Sequence, residues 1–274
     1  MAIPRREFLK SAAKYSAAGI GAEALLNALS PRFAEAQQIR PDDQRLVGRY
    51  VEYPSPNGYS TLRGYLVQPA KAAGKLPVVL VVHENRGLNP HIEDIARRLA
   101  LDNFIAFAPD ALFPLGGYPG DEDKARELFP KLDQAKVRED FVAAVGQLKQ
   151  LPAGNGKVGV VGFCYGGSIA NVLASKIPDL AAAVPFYGAQ LAAEDAARIK
   201  APLLIHYAGE DTRINAGWPK YEEALKAAGV RYEAHVYPGV QHGFNNDTTP
   251  RYDEAAAKLA WQRTIAFFNQ HLRT

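Results

Sequence analysis

A glycine-rich turn near the middle of the chain constrains its fold more than any other feature. The turn Gly162–Gly167 (GFCYGG) follows a valine-rich run, Lys157–Gly162, and precedes a helix-like segment, Ser168–Lys176. A β-branched run joined by glycines to a helix-forming segment predicts a strand, a sharp turn and a helix. Strand and helix then pass so closely that the residues two positions from Cys164 must lack side chains. This pattern is typical of a nucleophile elbow with Cys164 at its apex.

Strand-like and helix-like segments alternate along the rest of the chain. Continuous apolar runs such as Leu76–His83 predict strands buried on both faces, and His91–Asp102 has apolar residues at helical spacing. Short alternating runs at Arg49–Tyr53 and Leu62–Gln68 predict an antiparallel pair at one edge of a sheet. This order predicts an α/β fold with a mostly parallel central sheet and helices on both faces. Ligand sites on such sheets lie beyond the carboxyl ends of the strands.

Two further side chains fall where that site is expected. Asp211 follows one predicted strand, and His242 follows another. The chain order nucleophile, acid, base is the order found in α/β-hydrolases. His242 would accept the thiol proton, and Asp211 would orient its ring. Glu210 is a competing acid, and Ser168 is a weaker alternative nucleophile because it lies inside the predicted helix.

The loop after the first core strand provides a place for an oxyanion. In the α/β-hydrolase fold this loop contributes one backbone N–H to the oxyanion hole, and the residue after the nucleophile contributes the other. We assign these two donors to Asn85 and Tyr165.

Composition excludes several other functions. The chain has one cysteine, so no intramolecular disulfide can form. Its net charge is +3, and it has no compact basic run beyond the N-terminus, so nucleic acid is not an expected partner. The histidines are scattered without metal-ligand spacing, and neither a P-loop nor a dinucleotide fingerprint is present. We therefore predict no metal and no other cofactor.

The N-terminus resembles a twin-arginine export signal. Arg5 and Arg6 are followed by a weakly apolar, alanine-rich stretch, Ser11–Leu29. Ala34 and Ala36 place small residues at the two positions that a signal peptidase reads. The alternative is a cytoplasmic protein with an amphipathic N-terminal helix.

The export signal sets the predicted domain boundaries. Residues 1–36 would be a signal peptide, and residues 37–274 would form a single α/β-hydrolase domain in the periplasm or outside the cell. The apolar stretch includes charged residues and is a poor transmembrane helix. No stable membrane span is therefore expected after processing.

Taken together, these motifs resemble those of the dienelactone hydrolase family, from about Tyr50 to Leu272. The marks of the resemblance, in chain order, are Glu84, Pro109-Asp110, Gly-x-Cys-x-Gly-Gly at residues 162–167, Asp211 and His242-Gly-Phe. The resemblance implies that Glu84 contacts the resting thiol of Cys164 and takes its proton when substrate arrives. A salt bridge from Glu84 to Arg86 or to another nearby cation is the alternative role.

The chain departs from the family pattern at the substrate-binding arginines. The resemblance implies two arginines that hold the carboxylate of a dienelactone, one shortly after the Pro-Asp motif and one four residues after the histidine. The corresponding stretches read ALFP and GFNN and contain no arginine. Arg86 and Arg213 are the nearest cations in sequence. We therefore expect dienelactone to be a poor substrate. The predicted pocket is lined instead by Arg86, Phe113, Tyr118 and Trp218.

These observations predict an enzyme that hydrolyses carboxylic esters or lactones through Cys164, His242 and Asp211, by way of an acyl-enzyme. Its expected partner is a small-molecule ester or lactone. The same side chains would serve an acyl transferase or a peptidase-type hydrolase, and a non-catalytic binding protein could retain the fold. The presence of Glu84 beside the other three residues favours the enzyme, because a binding protein has no need for all four.

Overall fold

The computed structural model describes residues 36–273. The predicted export signal, up to Glu35, and its cleavage region therefore lie almost wholly outside the described residues. Within residues 36–273, no helix combines the length and the apolar character that a membrane span needs.

Eight strands form one sheet in the order β1-β2-β4-β3-β5-β6-β7-β8. The strands are β1 (Leu46–Ser55), β2 (Ser60–Pro69), β3 (Leu76–Val82), β4 (Ile105–Pro109), β5 (Gly154–Phe163), β6 (Ala182–Phe186), β7 (Leu203–Ala208) and β8 (Tyr232–Tyr237). The pairs β1–β2 and β2–β4 are antiparallel, and the pairs from β4 to β8 are parallel. The predicted α/β-hydrolase fold, with an antiparallel pair at one edge, is confirmed.

Helices cover both faces of the sheet. They are α1 (Pro90–Leu101), α2 (Glu122–Leu128), α3 (Gln134–Lys149), α4 (Tyr165–Lys176), α5 (Ala193–Ala196), α6 (Thr212–Asn215), α7 (Trp218–Ala227) and α8 (Glu254–Leu272). Helices α1 and α8 pack on one face, and α3, α4 and α7 pack on the other.

The central strand β3 shows why the sheet is covered on both sides. All of its residues are buried. Val78, Leu80 and Val82 pack into one apolar cluster, whereas Val79 and Val81 pack into the other. Successive side chains of a strand point to opposite faces, so a continuous valine-rich run fills both clusters. Each fully buried side chain of this size contributes about 1.5–3 kcal/mol.

Two element boundaries differ from the sequence expectation for local reasons. Helix α4 begins at Tyr165, directly after Cys164, because the elbow passes from strand to helix without an intervening loop. The sequence also predicts one helix over Asp121–Leu132, but the segment instead forms α2 and a short 3-10 turn, Phe129–Lys131. Pro130 lies in that turn and has no N–H with which to continue an α-helix.

Candidate active site

Cys164 lies at the apex of the turn between β5 and α4. Its backbone has φ 56° and ψ −110°, a region that residues with side chains rarely adopt. The backbone N–H of Cys164 donates to the carbonyl of Phe186 at the end of β6, at 3.0 Å. Strained conformations persist only where the surrounding structure fixes them, and they cluster at functional sites. The thiol is half-buried at the carboxyl ends of the central strands.

The glycines on either side of Cys164 are required by space. A Cβ atom on Gly162 would lie 1.9 Å from the carbonyl oxygen of Gly166. A Cβ atom on Gly166 would lie 2.2 Å from the carbonyl oxygen of Val82. In both cases the obstacle is backbone, which cannot move aside as a flexible side chain can. The close passage of β3, β5 and α4 therefore excludes any residue larger than glycine at these positions.

His242 and Asp211 meet beside Cys164. Asp211 follows β7 and caps α6 by accepting the Ile214 N–H at 3.3 Å through Oδ1. Its other carboxylate oxygen accepts a hydrogen bond from Nδ1 of His242. Cys164 lies near enough to the His242 ring to raise its pKa. Because Nδ1 is engaged by Asp211, Nε2 is the ring nitrogen left to receive the proton of the thiol.

The ionisation of this pair follows from its contacts. Burial alone would lower the pKa of His242, but hydrogen bonds and charges from Asp211 and Cys164 outweigh it and raise the pKa to about 9. Burial alone would raise the pKa of Asp211, but the hydrogen bond and charge of His242 hold it below its ordinary value. The competing acid, Glu210, is exposed. Asp211 is therefore the carboxylate that orients the His242 ring.

Glu84 is held by a residue that the sequence analysis did not single out. Its Oε2 accepts a hydrogen bond from Nδ2 of Asn246 at 2.8 Å. Arg86, the sequence-based alternative partner of Glu84, instead lies with Nε 3.5 Å from Oε2 of Glu122 and donates to Asn85. Asn246 stands four residues after His242, where the family pattern has an arginine.

The two predicted oxyanion donors lie on adjoining segments. Tyr165 is the first residue of α4, so its N–H has no acceptor within the helix. Asn85 lies two residues after His83, whose carbonyl oxygen approaches Gly166 closely enough to exclude a side chain there. His83 is fully buried, and it fixes the start of this loop by contacting the carbonyl of Glu84 at 2.5 Å and accepting the Ala111 N–H at 3.2 Å.

The predicted pocket residues are each in contact with other side chains of the described part of the chain. Tyr118 donates to Glu122 at 3.0 Å, so that it and Arg86 share one carboxylate. Phe113 packs under the guanidinium of Arg63, with 5.0 Å between the guanidinium carbon and the ring centre. Trp218 packs 5.3 Å from Tyr207, in a different aromatic group.

Sequence reasoning missed two side chains beside His242. Tyr187 follows β6, has φ 37°, and packs with its ring centre 4.9 Å from that of His242. The proton of its buried hydroxyl has no acceptor within hydrogen-bond distance, and the backbone of Asn245 lies beside the hydroxyl oxygen. The guanidinium of Arg251 lies over Gly243, 3.3–3.5 Å from the position of a Cβ there. The strand-end rule that identified Asp211 would also have identified Tyr187, whereas no local pattern marks Arg251.

The electrostatics of Tyr187 connect it with the same site. Burial raises the pKa of its hydroxyl far above the ordinary range, and the charges of Glu84 and Cys164 raise it further. The charge of Arg251 acts in the opposite direction. The hydroxyl therefore keeps its proton throughout the physiological range.

Other parts of the described chain offer little competition as a reaction centre. Across residues 36–273, no group of three or more His, Cys, Asp and Glu side chains could hold a metal ion. A surface groove of about 510 Å³ lies behind the His242 loop and is lined in part by Gln38, Arg98, Asn245 and Trp261. A second groove, of about 450 Å³, lies beside Arg45 and Lys71. Neither groove is lined by a predicted site residue.

Comparison with known proteins gives one consistent result. The model of the dienelactone hydrolase family matches residues 62–272. A carboxymethylenebutenolidase-type protein of Salmonella typhi is 36% identical over 232 residues, which is 79% of this chain and 85% of that protein. One of the same type from Escherichia coli K12 is 33% identical over 249 residues, covering 85% and 90%. A dienelactone hydrolase-type crystal structure from Klebsiella pneumoniae superposes with a TM-score of 0.71 at 32% identity, covering 82% of this chain and 99% of that one.

Proposed function

This chain belongs to the dienelactone hydrolase family and is a hydrolase of ester or lactone bonds, and from that premise we propose that Cys164 is its nucleophile. The observation that carries the proposal is that Cys164, at the apex of a strained elbow, lies near His242, whose ring is hydrogen-bonded to Asp211. A nucleophile, a base within reach and a group that orients the base are the parts that covalent catalysis needs.

In the proposed first step, Sγ of Cys164 attacks the carbonyl carbon of the ester while His242 holds the proton of the thiol on Nε2. The developing oxyanion accepts hydrogen bonds from the N–H groups of Asn85 and Tyr165. One such donor lowers the barrier by about 3–4 kcal/mol. The bond from carbon to the leaving oxygen then breaks, and that oxygen takes the proton from His242. In a lactone the leaving alcohol stays attached to the acyl group.

In the proposed second step, water attacks the thioester and gives a proton to His242, and Sγ leaves. The products are a carboxylic acid and the regenerated site. Asp211 favours both steps because its carboxylate keeps the ring oriented and stabilises the protonated imidazole. Glu84, held by Asn246, is proposed to protect the resting thiol rather than to form bonds with substrate.

The test is hydrolysis of short chromogenic esters by residues 37–274, with Cys164→Ala beside the parent. Because the chain has one cysteine, iodoacetamide reports on that thiol alone. Loss of turnover on both substitution and alkylation supports the proposal, whereas full turnover by Cys164→Ala overturns it. A parent that is inert toward esters and lactones but binds them or transfers acyl groups would favour the binding, acyl-transfer or peptidase alternatives.

We propose that the preferred substrates of this chain differ from the dienelactone for which the family is named. Dienelactone is expected to be a poor substrate because Asn246 stands where the family pattern has an arginine. The guanidinium of Arg251 lies over Gly243, the residue after His242. The experiment compares hydrolysis of a neutral lactone and of a lactone carrying a carboxylate by the parent and by Arg251→Met. A loss of rate in Arg251→Met for the charged lactone alone would mean that Arg251 binds the substrate carboxylate. Equal rates in both proteins for both lactones leave Arg251 without a role.

We also propose that the chain is exported through a twin-arginine signal over residues 1–36. The support is the sequence Arg5-Arg6, the weakly apolar stretch and the small residues Ala34 and Ala36. The test is a fusion of residues 1–36 to a folded reporter, beside a variant carrying Arg5→Lys and Arg6→Lys. Export of the parent fusion and retention of the variant support the proposal, and retention of both overturns it.

A further inference from the structure

The loop that carries His242, residues 241–249, is fixed by two adjacent side chains that point in different directions. Nδ2 of Asn246 donates to Glu84 at 2.8 Å, while its Oδ1 accepts from the N–H and the hydroxyl of Thr248, at 3.0 and 2.6 Å. Asp247, the next residue, faces helix α1. Its Oδ2 accepts from Nη2 of Arg98 at 2.5 Å, and its Oδ1 lies 3.0 Å from Nδ1 of His91. The loop is therefore joined both to the Glu84 loop and to the helix that follows it.

The segment before β1 contacts both helix α1 and Asp247 of the His242 loop. Asp94 of α1 accepts the N–H of Gln38 at 3.1 Å and the N–H of Ile39 at 2.8 Å. Arg97 donates to the carbonyl of Ile39 at 2.8 Å. The side-chain amide of Gln38 donates to Oδ2 of Asp247 at 3.0 Å. We name Gln38 and Ile39 the N-terminal strap. The strap thus contacts the His242 loop across 209 positions of sequence.

Asp247 is the centre of this arrangement. Its side chain is 7% exposed, and Arg98 bridges it to Asp94. Burial alone would raise the pKa of Asp247, but His91 and Arg98 hold it below its ordinary value. A buried carboxylate needs such partners, and losing one of them leaves an uncompensated charge. The loop from His242 to Asp247 contains no helix or strand, so its shape depends on side-chain contacts of this kind.

We propose that Asp247 is a positioning residue for His242 and Glu84, and that Gln38 of the N-terminal strap acts through it. This inference rests on the proposed function, because it concerns the same His242. A small displacement of a catalytic group costs far more rate than stability, with about 1 Å equivalent to about 100-fold. Asp247 touches neither Cys164 nor the substrate in this scheme. It acts by holding the loop on which His242 and Asn246 stand.

The experiment compares Asp247→Asn, Gln38→Leu and the double variant in the chain of residues 37–274. The control is Val137→Ala, a fully buried position on α3 that packs in the apolar cluster on the other face of the sheet. Each protein is assayed for kcat, KM, the pH dependence of kcat/KM on a chromogenic ester, and melting temperature. If Asp247→Asn does not fold, Gln38→Leu still tests the proposal. It removes a hydrogen bond to Asp247 that is exposed to solvent, so the substitution should leave the fold intact.

We expect Asp247→Asn to lower kcat about 10- to 100-fold with little change in KM. The alkaline limb of its pH profile should move down in pH, because a loosened His242 loses contact with Asp211. Gln38→Leu should lower kcat severalfold. The double variant should be no worse than Asp247→Asn alone, since both act through one contact.

Two outcomes overturn the inference. One is a wild-type kcat and pH profile in Asp247→Asn despite a lower melting temperature. The other is an equal loss of kcat in Val137→Ala, which would mark the effect as general destabilisation. The Cys164→Ala variant separates this result from the proposed function. If that variant is inactive and Asp247→Asn is not impaired, the positioning role alone fails, whereas an active Cys164→Ala removes the catalytic scheme itself.

Discussion

His242 and Asp211 lie 31 positions apart in the sequence, and their side chains share a hydrogen bond from Nδ1 of the ring to Oδ2 of the carboxylate. This contact explains why burial does not neutralise the histidine, because a carboxylate within hydrogen-bond distance favours the charged ring. The contact also leaves Nε2 as the ring nitrogen available to Cys164.

The stability of the protein is expected to depend on pH through His242. Its folded-state pKa is raised from 6.5 to about 9, so between these values the folded chain holds a proton that the unfolded chain has released. This contribution is fully present below pH 6.5 and is lost as the pH rises through about 9. Only the part of the shift that comes from Asp211 adds stability, because a proton that His242 takes from Cys164 is not taken up from solvent. Urea unfolding at a series of pH values measures it, and His242→Gln should remove the pH dependence. Parallel curves for the two proteins would contradict this assignment.

Asp211→Asn is expected to lower kcat by roughly 10³- to 10⁴-fold, because an amide no longer fixes the ring tautomer or stabilises its charge. Glu210→Gln is the matched control, since Glu210 is adjacent in sequence and exposed. Steady-state hydrolysis of a chromogenic ester measures both variants. A larger loss in Glu210→Gln would reassign the acid.

Gly166→Ala is expected to destabilise the fold by about 3 kcal/mol or more, because the new methyl group would overlap the backbone of Val82. Gly146→Ala is the control. Gly146 lies within α3 with no atom near the position of a Cβ, and alanine there should stabilise the protein by about 0.5–1 kcal/mol. Urea unfolding of both variants gives the comparison. Equal stabilities would show that the elbow tolerates a side chain.

Tyr187→Phe is expected to change the free energy of unfolding by less than about 1 kcal/mol, because its buried hydroxyl has no acceptor and only the backbone of Asn245 beside it. Tyr221→Phe should lower it by about 1 kcal/mol, because the equally buried hydroxyl of Tyr221 donates to Asn171 at 3.1 Å. Urea unfolding with an unchanged m-value measures both. A larger loss of stability in Tyr187→Phe would mean that this hydroxyl has a partner in solution.

Much of the fold could be predicted because its strands and helices follow from patterns of apolar and turn residues over a few positions. Continuous valine-rich runs bounded by turn residues predict buried strands. The sequence pattern also predicts a last strand over Tyr232–Tyr237, and these are the bounds of β8. The elbow was predictable for a related reason. Its glycines are required because backbone atoms of the same strand-turn-helix unit, and of the neighbouring strand, leave no room for a side chain. The same rule of strand ends placed Asp211 and His242 at one edge of the sheet.

The partners of the polar side chains could not be predicted in this way. Glu84 was expected to contact Cys164 or to pair with Arg86, and the hydrogen bond that its carboxylate accepts from Asn246 was not foreseen. Arg86 was expected in the substrate pocket, and it pairs with Glu122 on α2. Long polar side chains have several partners within reach, and nothing in their spacing along the chain selects one of them.

The sequence by itself determined the order of strands and helices, the backbone of the elbow and the chain order Cys164, Asp211, His242. Periodicity and glycine geometry act over a few residues, so they can be read without a structure. Only the tertiary structure decided that Tyr187 packs on His242 and that Gln38 contacts Asp247. These contacts join segments far apart in sequence, and they exist because packing of the sheet and its helices brings those segments together.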